Sequence, residues 1–444
     1  MRPPWWWLRS RHQSFWAFPK GLSRSRTADN RWFANGFVRL IVLQDHFVNI
    51  APATARGRVD HRCPHLQPST APGPVWDNRP SRRTTVAHLR SLQLGRRSTM
   101  RSDITRRFFV TSALAVMALP RWAVAAVTTI ISGRTFQGNR APDGVKGEGG
   151  EGLRARSNMI IQNCTFLDLG NGAVRVNVPT DNLTIQSCSG SNFYRFLEDT
   201  SSDRTNPANL TNFAVRKVTG REVDRGMTRI RYGSHSGTIE DVTAYASSQC
   251  DLYCVGYQLD GDAHDITYSR VQAHGFREVT RPDDKYWNGD GFSDERGNHG
   301  IRYLSCLATG CSDGGFDLKS ANVYLEDCTA ARNKRNFRLW NSGVLRRCTS
   351  KHPRWYGGKG GAAHFSFHGT VDRYVLDQPV VTAGAGNRAP VFLIVTKNVL
   401  HLEIRNAKID APDAPLFAVY GPEPVITWVP PRNQQDIKVG KEKA

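Results

Sequence analysis

No stretch of this 444-residue chain is long and apolar enough to cross a bilayer. Its clearest apolar run, Val110–Leu119, is half the ~20 residues that a spanning helix needs, so no stable membrane anchor is expected. Acidic residues are missing where the basic ones gather. Residues 1–99 hold sixteen Arg and one Lys but no Glu and only four Asp, which leaves them at +13. Residues 100–125 add +3, so of the formal +21 only +5 belongs to the chain from Ala126 onward. A basic surface is the footprint of nucleic-acid binding, and without one on the main body no nucleic-acid partner is expected. Residues 1–99 also lack any sustained period of 2 or 3.6. They read as a mis-assigned or disordered N-terminal extension ahead of a start at Met100.

From Met100 the order of signals is that of an export leader. Thr105-Arg106-Arg107-Phe108-Phe109-Val110 is a twin-arginine pattern, the apolar run follows it, and Ala123-Val124-Ala125 offers a small-residue cleavage site. Residues 100–125 are therefore read as a twin-arginine signal peptide, and the mature protein as periplasmic or secreted. Residues 126–444 then form the folded domain.

That domain repeats. Asn158–Cys164, Asn182–Cys188, Asn212–Val218, Gly237–Val242, Asp265–Val271, Gly300–Cys306, Asn322–Cys328 and Gly343–Cys348 are variants of one short apolar-alternating strand. Their closing residues are 24, 30, 24, 29, 35, 22 and 20 apart. Repeats of that length, split by Gly, Asn, Asp and Ser, mark a solenoid whose coils must stack to bury their inner faces. The expected fold is all-β: a right-handed parallel β-helix, expected as a monomer. Cys164, Cys188, Cys306, Cys328 and Cys348 share one position of the repeat. Coils lie about 4.8 Å apart, which brings Cys306, Cys328 and Cys348 near bonding distance, but identical registry reads better as a stack of buried small apolar side chains. Cys250, Cys254 and Cys311 fall off this ladder and have no zinc spacing.

A second strand in each coil carries the chemistry. Aligning Phe292, Phe316 and Phe337 inward points Ser293, Asp317 and Arg338 outward on one sheet face. Asp290 and Asp313 lie just ahead of their aromatics, at the entrance to that face. Converging carboxylates repel unless something compensates them, and a divalent cation with oxygen ligands would do so. Gly-Asp-Gly and Asp-Gly-Gly are equally good turn sequences, although Asp317 inside a strand is unusual. Lys319, Arg296, Lys334 and Arg335 surround the acids with positive charge suited to an anionic sugar chain. Trp340, Tyr286, Trp287, Trp355 and Tyr356 are candidates to stack on pyranose rings. His364 and His368, four apart on a strand, share a face, which leaves a role at the groove floor open to them, but they read better as ordinary polar positions.

Asn288-Gly-Asp290-Gly-Phe292, Ser312-Asp313-Gly-Gly-Phe316-Asp317-Leu318 and Asn336-Phe337-Arg338-Leu339 resemble the three signature coils of polysaccharide lyase family nine. These are calcium-dependent pectate lyases on a right-handed parallel β-helix. The resemblance spans some fifty residues. It implies Asp290, Asp313 and Asp317 as Ca2+ ligands and an anionic, pectate-like polysaccharide as substrate. Two positions depart from the family pattern. Gly314 stands where the family has a further Asp, and Arg338 stands where it has the Lys that acts as base. Arginine is the base in several other β-helix pectate lyases, so Arg338 is carried over as base, with clamping of a substrate carboxylate as its other role. The expected activity is β-elimination of a uronic-acid polymer with calcium assistance. A glycoside hydrolase using paired carboxylates and a non-catalytic carbohydrate-binding β-helix are the competing readings.

Overall fold

The computed structural model describes residues 127–432, apart from 143, 202–204, 249, 251–252 and 279–280. The leader readings, both the extension at 1–99 and the signal at 100–125, lie outside the described residues. Within them the chain is all strand and turn, and there is no helix long and apolar enough to cross a membrane. The strands stack in parallel as a β-helix of about ten coils. Each coil contributes to three faces.

The first face carries the repeat read from the sequence. Its strands, such as Leu183–Gln186, Val323–Glu326 and Leu402 within His401–Arg405, pair residue for residue along the axis. What punctuates them is backbone conformation. Asn158, Asn182, Asn212, Asp265 and Asn322 open their rungs at positive φ, between +50° and +57°. A second left-handed residue closes each rung: Asn163, Ser187, Lys217, Asp241, Arg270, Ser305, Asp327 and Arg347. Asn and Asp tolerate this region best, which explains why they recur at the openings. The closing position turns the chain onto the second face and drops the next residue, a Cys or Val, into the core. Cys164, Cys188, Cys306, Cys311, Cys328 and Cys348 are free, buried thiols. Cys250 and Cys254, which lie off this ladder, form a disulfide.

The third face positions the site. Tyr257, Phe292, Phe316, Phe337 and Phe365 stack inside it with ring centroids 5.0, 4.7, 5.2 and 5.0 Å apart. Each buried ring contributes roughly 1.5–3 kcal/mol of hydrophobic stabilisation, and offset stacking adds to it. Because the rings lock register, the outward neighbours align as one column: Gln258, Ser293, Asp317, Arg338, Ser366. Gly291 completes the arrangement. A Cβ there would sit 2.8 Å from the Cβ of Ala308 and 2.7 Å from the carbonyl of Gly315. Gly291 therefore faces the core as Phe292 does, and Asp290 is left on the outer side.

Candidate functional site

Over the C-terminal half of the third face lies a cleft of about 970 Å³. Its floor is formed by the strand Arg335–Leu339 and the coils that follow. One wall is a pair of loops. Lys359 N–H donates to the Lys285 carbonyl (2.8 Å), Gly358 N–H to Asp283 (3.2 Å), and the Trp287 ring packs against Gly357 and Gly358. Trp287 is thereby used up as a packing residue, whereas Tyr286 on the same loop is 54% exposed and lines the cleft. Trp355 is exposed but does not line it, and Tyr356 stacks beneath Arg277 and Arg354.

The acids and bases expected from the sequence do come together. Asp313 is buried and accepts from both guanidiniums, Arg335 at 2.7 Å and Arg338 at 2.8 Å. Asp317 accepts from the Trp340 indole N–H at 2.6 Å and has Arg338 at 3.5 Å and Lys319 at 3.6 Å. Asp290 accepts from the Gly314 N–H at 2.6 Å. Burial, then the neighbouring Asp317 and Asp313, push the Asp290 carboxyl well above the usual carboxylate range. Burial works against Asp317 too, but Arg338 and then Lys319 outweigh it and bring its pKa below the ordinary value. One acid thus holds its proton more tightly than an ordinary carboxyl, beside one that gives it up more readily.

This donor set does not fit an intact calcium site. Both oxygens of Asp313 are held by arginines, those of Asp317 face Trp340, Arg338 and Lys319, and an ion among them would have to displace the guanidiniums. Among the described residues no three His, Cys, Asp or Glu side chains gather with metal-holding geometry. The compensation that converging carboxylates require is supplied here by the chain's own cations. Gly314, where the resembled family has an Asp, is crowded: a Cβ there would lie 2.9 Å from Asp290 Oδ1 and 3.0 Å from Asp317 Cβ.

The cations divide into those that reach the cleft and those that do not. Arg335 and Arg338 line it. Burial opposes the charge on Arg338, but Asp313, Asp317 and Asp290 more than offset this and raise its pKa. A guanidinium so held does not surrender a proton at neutral pH, which favours the clamp over the base. Lys319 is part-buried against Glu295 and Asp317. Arg296 is exposed at the rim, its guanidinium 5.8 Å from the Trp340 ring centre. Lys334, expected to meet substrate, is 0% exposed and donates to the carbonyls of Gly357 (2.8 Å) and Lys359 (2.7 Å). Burial brings its pKa down to about 8. It is a strut for the loop wall, because a buried ammonium must take whatever acceptors lie within reach.

Arg388 and Tyr420 also line the cleft, and of the two strand histidines His368 lines it and His364 does not. Arg388 and Tyr420 belong to later coils with no acidic motif to draw notice. His368 lines the cleft with its ring 5.2 Å from that of Trp340.

No protein-family model matches the chain, and no curated protein matches its sequence. Among solved structures, it is similar to a surface adhesin of Streptococcus pneumoniae, PfbA, at 8% identity, covering 61% of this chain and 83% of that one, with a TM-score of 0.40. It is similar to the A-module of the Azotobacter vinelandii mannuronan C-5 epimerase AlgE6 at 12% identity, covering 69% and 91%, with a TM-score of 0.37. A third is the tailspike gp49 of the Acinetobacter baumannii bacteriophage Fri1, a capsular polysaccharide depolymerase, at 12% identity, covering 64% and 48%, with a TM-score of 0.32.

Proposed function

We propose that the cleft binds a uronic-acid-containing polysaccharide and cleaves it by β-elimination. The observation that carries this reading is the composition of the cleft: guanidiniums of Arg335, Arg338 and Arg388 beside the rings of Tyr286, Trp340 and Tyr420. Guanidinium forks match carboxylates bidentately, and aromatic rings offer apolar faces to pyranoses. Elimination removes the proton on C5, beside the carboxylate on C6, and negative charge then gathers on the carboxylate oxygens. Arg338 and Arg335, oriented in advance by Asp313, would stabilise that charge as it develops, and one such donor is typically worth about 10²–10³ in rate. The protein would act outside the cytoplasm, delivered by the signal at 100–125. The calcium expectation becomes an arm of the test.

The test is an assay of the mature chain from Ala126 on several uronate polymers, with calcium and with chelator. The expected product carries a C4=C5 double bond that absorbs in the ultraviolet, and chelator leaves its rate unchanged. New reducing ends without that absorbance would establish a hydrolase instead. Binding without any product would establish a carbohydrate-binding protein, and loss of the rate with chelator would restore the metal.

A further inference from the structure

We propose that His368 is the base that takes the C5 proton, and that it becomes competent when a substrate carboxylate occupies Arg335 and Arg338. The inference rests on the lyase reading above. His368 is the penultimate residue of a strand, Ala363–Gly369, that pairs with the strand of the two arginines one coil earlier. The Trp340 ring ties the group together. The Arg338 guanidinium lies 4.8 Å from its centre, and the His368 ring is packed against it. His368 is 8% exposed, lines the cleft, and its Nε2 is buried with no hydrogen-bond partner. A buried polar atom left unpaired costs about 1–3 kcal/mol, and in a residue that lines a cleft that atom is free of any internal partner that a ligand would have to displace. His364 on the same strand also has a buried, unpaired Nε2, but its Nδ1 is held by the Ser350 hydroxyl at 2.8 Å and it does not line the cleft, so what sets His368 apart is its place in the cleft beside Arg338 and Trp340.

The surroundings explain the dependence on substrate. From the preceding coil His368 faces Arg335, Arg338 and Trp340; from its own strand, Ser366, whose hydroxyl is given to the Phe337 carbonyl; from the following coil, Leu393 and Val395. Arg388, Tyr420 and Tyr286 complete the cleft, and Asp313, its lining carboxylate, is already bound to both arginines. Burial, then Arg338 and Arg335, hold the imidazole well below its ordinary pKa. It is therefore neutral and able to accept a proton, but weakly basic. A carboxylate docked on the arginines cancels the two charges and restores basicity where the C5 proton is presented, closer to the match between pKa and working pH that favours proton transfer. In the step itself, a ring nitrogen takes H5 as a proton and the C5–H electron pair becomes the C4=C5 double bond. The C4–O4 bond breaks with its pair going to O4. That oxygen takes a proton from cleft water, and the resulting hydroxide recovers the proton from the imidazolium.

The test compares wild type with His368→Asn and His368→Ala on the polymer that wild type cleaves. Expected are a loss of kcat of about 10²–10⁴-fold, KM within a few-fold, loss of the acidic limb of the pH profile, and partial rescue of His368→Ala by added imidazole. Folded variants that keep kcat within about threefold overturn this inference and leave the lyase reading standing. A wild type that gives no unsaturated product from any uronate overturns both. Should neither variant fold, ring NMR of labelled wild type decides. His368 is expected to be neutral near pH 6 when free and to rise in pKa when a saturated oligouronate binds; signals that the ligand leaves unmoved overturn the assignment.

Discussion

The two halves of the third face use the same side chains to different ends. In the N-terminal half, Glu198 is ringed by Arg195 at 3.0 Å, Arg231 at 3.6 Å, Arg175 at 3.7 Å and Arg229 at 3.9 Å. Arg229 closes on Asp260 at 2.7 Å, and Arg231 donates to Asp199. In the C-terminal half, Asp313 holds two arginines whose other surfaces line a cleft beside His368. In the first network one carboxylate organises four guanidiniums around itself. In the second, one carboxylate aims two of them at a space. Arginine–carboxylate pairs alone do not define a site; what defines it is where the spare donors point.

Replacement of Asp313 should separate the halves most widely. Asp313→Asn leaves Arg335 buried without its ion-pair partner and Arg338 with only Asp317 at 3.5 Å, and removing one partner of a buried pair costs about 3–5 kcal/mol. Glu198→Gln should cost a comparable amount in urea unfolding, but only Asp313→Asn should also abolish product formation in protein that remains folded. Next comes Arg338→Ala, expected to lower kcat/KM by about 10²–10³-fold. Arg229→Ala, at the matching column position of the other half, should stay within a few-fold. An inversion of that order in initial rates would move the site to the N-terminal half.

A device common to both halves gives a pH signature. Asp199 and Asp294 are fully buried carboxyls raised to about 6, each chiefly by burial. Asp294 accepts from the N–H groups of Lys319 (2.6 Å) and Ser320 (2.7 Å), and Asp199 from that of Arg231 (2.7 Å). The folded state holds these protons to higher pH than the unfolded chain does, so stability from this source falls as pH rises from about 4 through about 6. With 1.36 kcal/mol per pKa unit, each group accounts for about 3 kcal/mol over that window. Asp294→Asn and Asp199→Asn should each flatten the dependence of the urea midpoint on pH, and an unchanged slope would refute the assignment. The smallest effect is expected where the halves meet. Opening the Cys250–Cys254 loop by Cys250→Ser/Cys254→Ser should cost about 2 kcal/mol on loop-closure entropy, with no change in kcat.

The first face was legible because its strands alternate and its openings favour Asn, Asp and Gly. The closing left-handed residues were not, since Lys217, Arg270 and Arg347 occupy them without any propensity for that region. Asp290, Asp313, Asp317, Arg335 and Arg338 could be brought together from sequence because all lie at fixed offsets from a stacked Phe. Lys334 sits at an equally promising offset yet turns away to the carbonyls of a loop more than twenty residues on, a partner that no local pattern encodes.

The sequence by itself determined that the chain coils into a parallel β-helix and that acids and arginines share one face, because the strand period and aromatic registry are local and repeat. Only the tertiary structure decided how that charge is balanced, which cations reach the cleft and which are struts. It alone set an unpaired imidazole beside the clamp. Those outcomes depend on loops of unrelated sequence packing over the face, and on burial that changes what each group can hold or release.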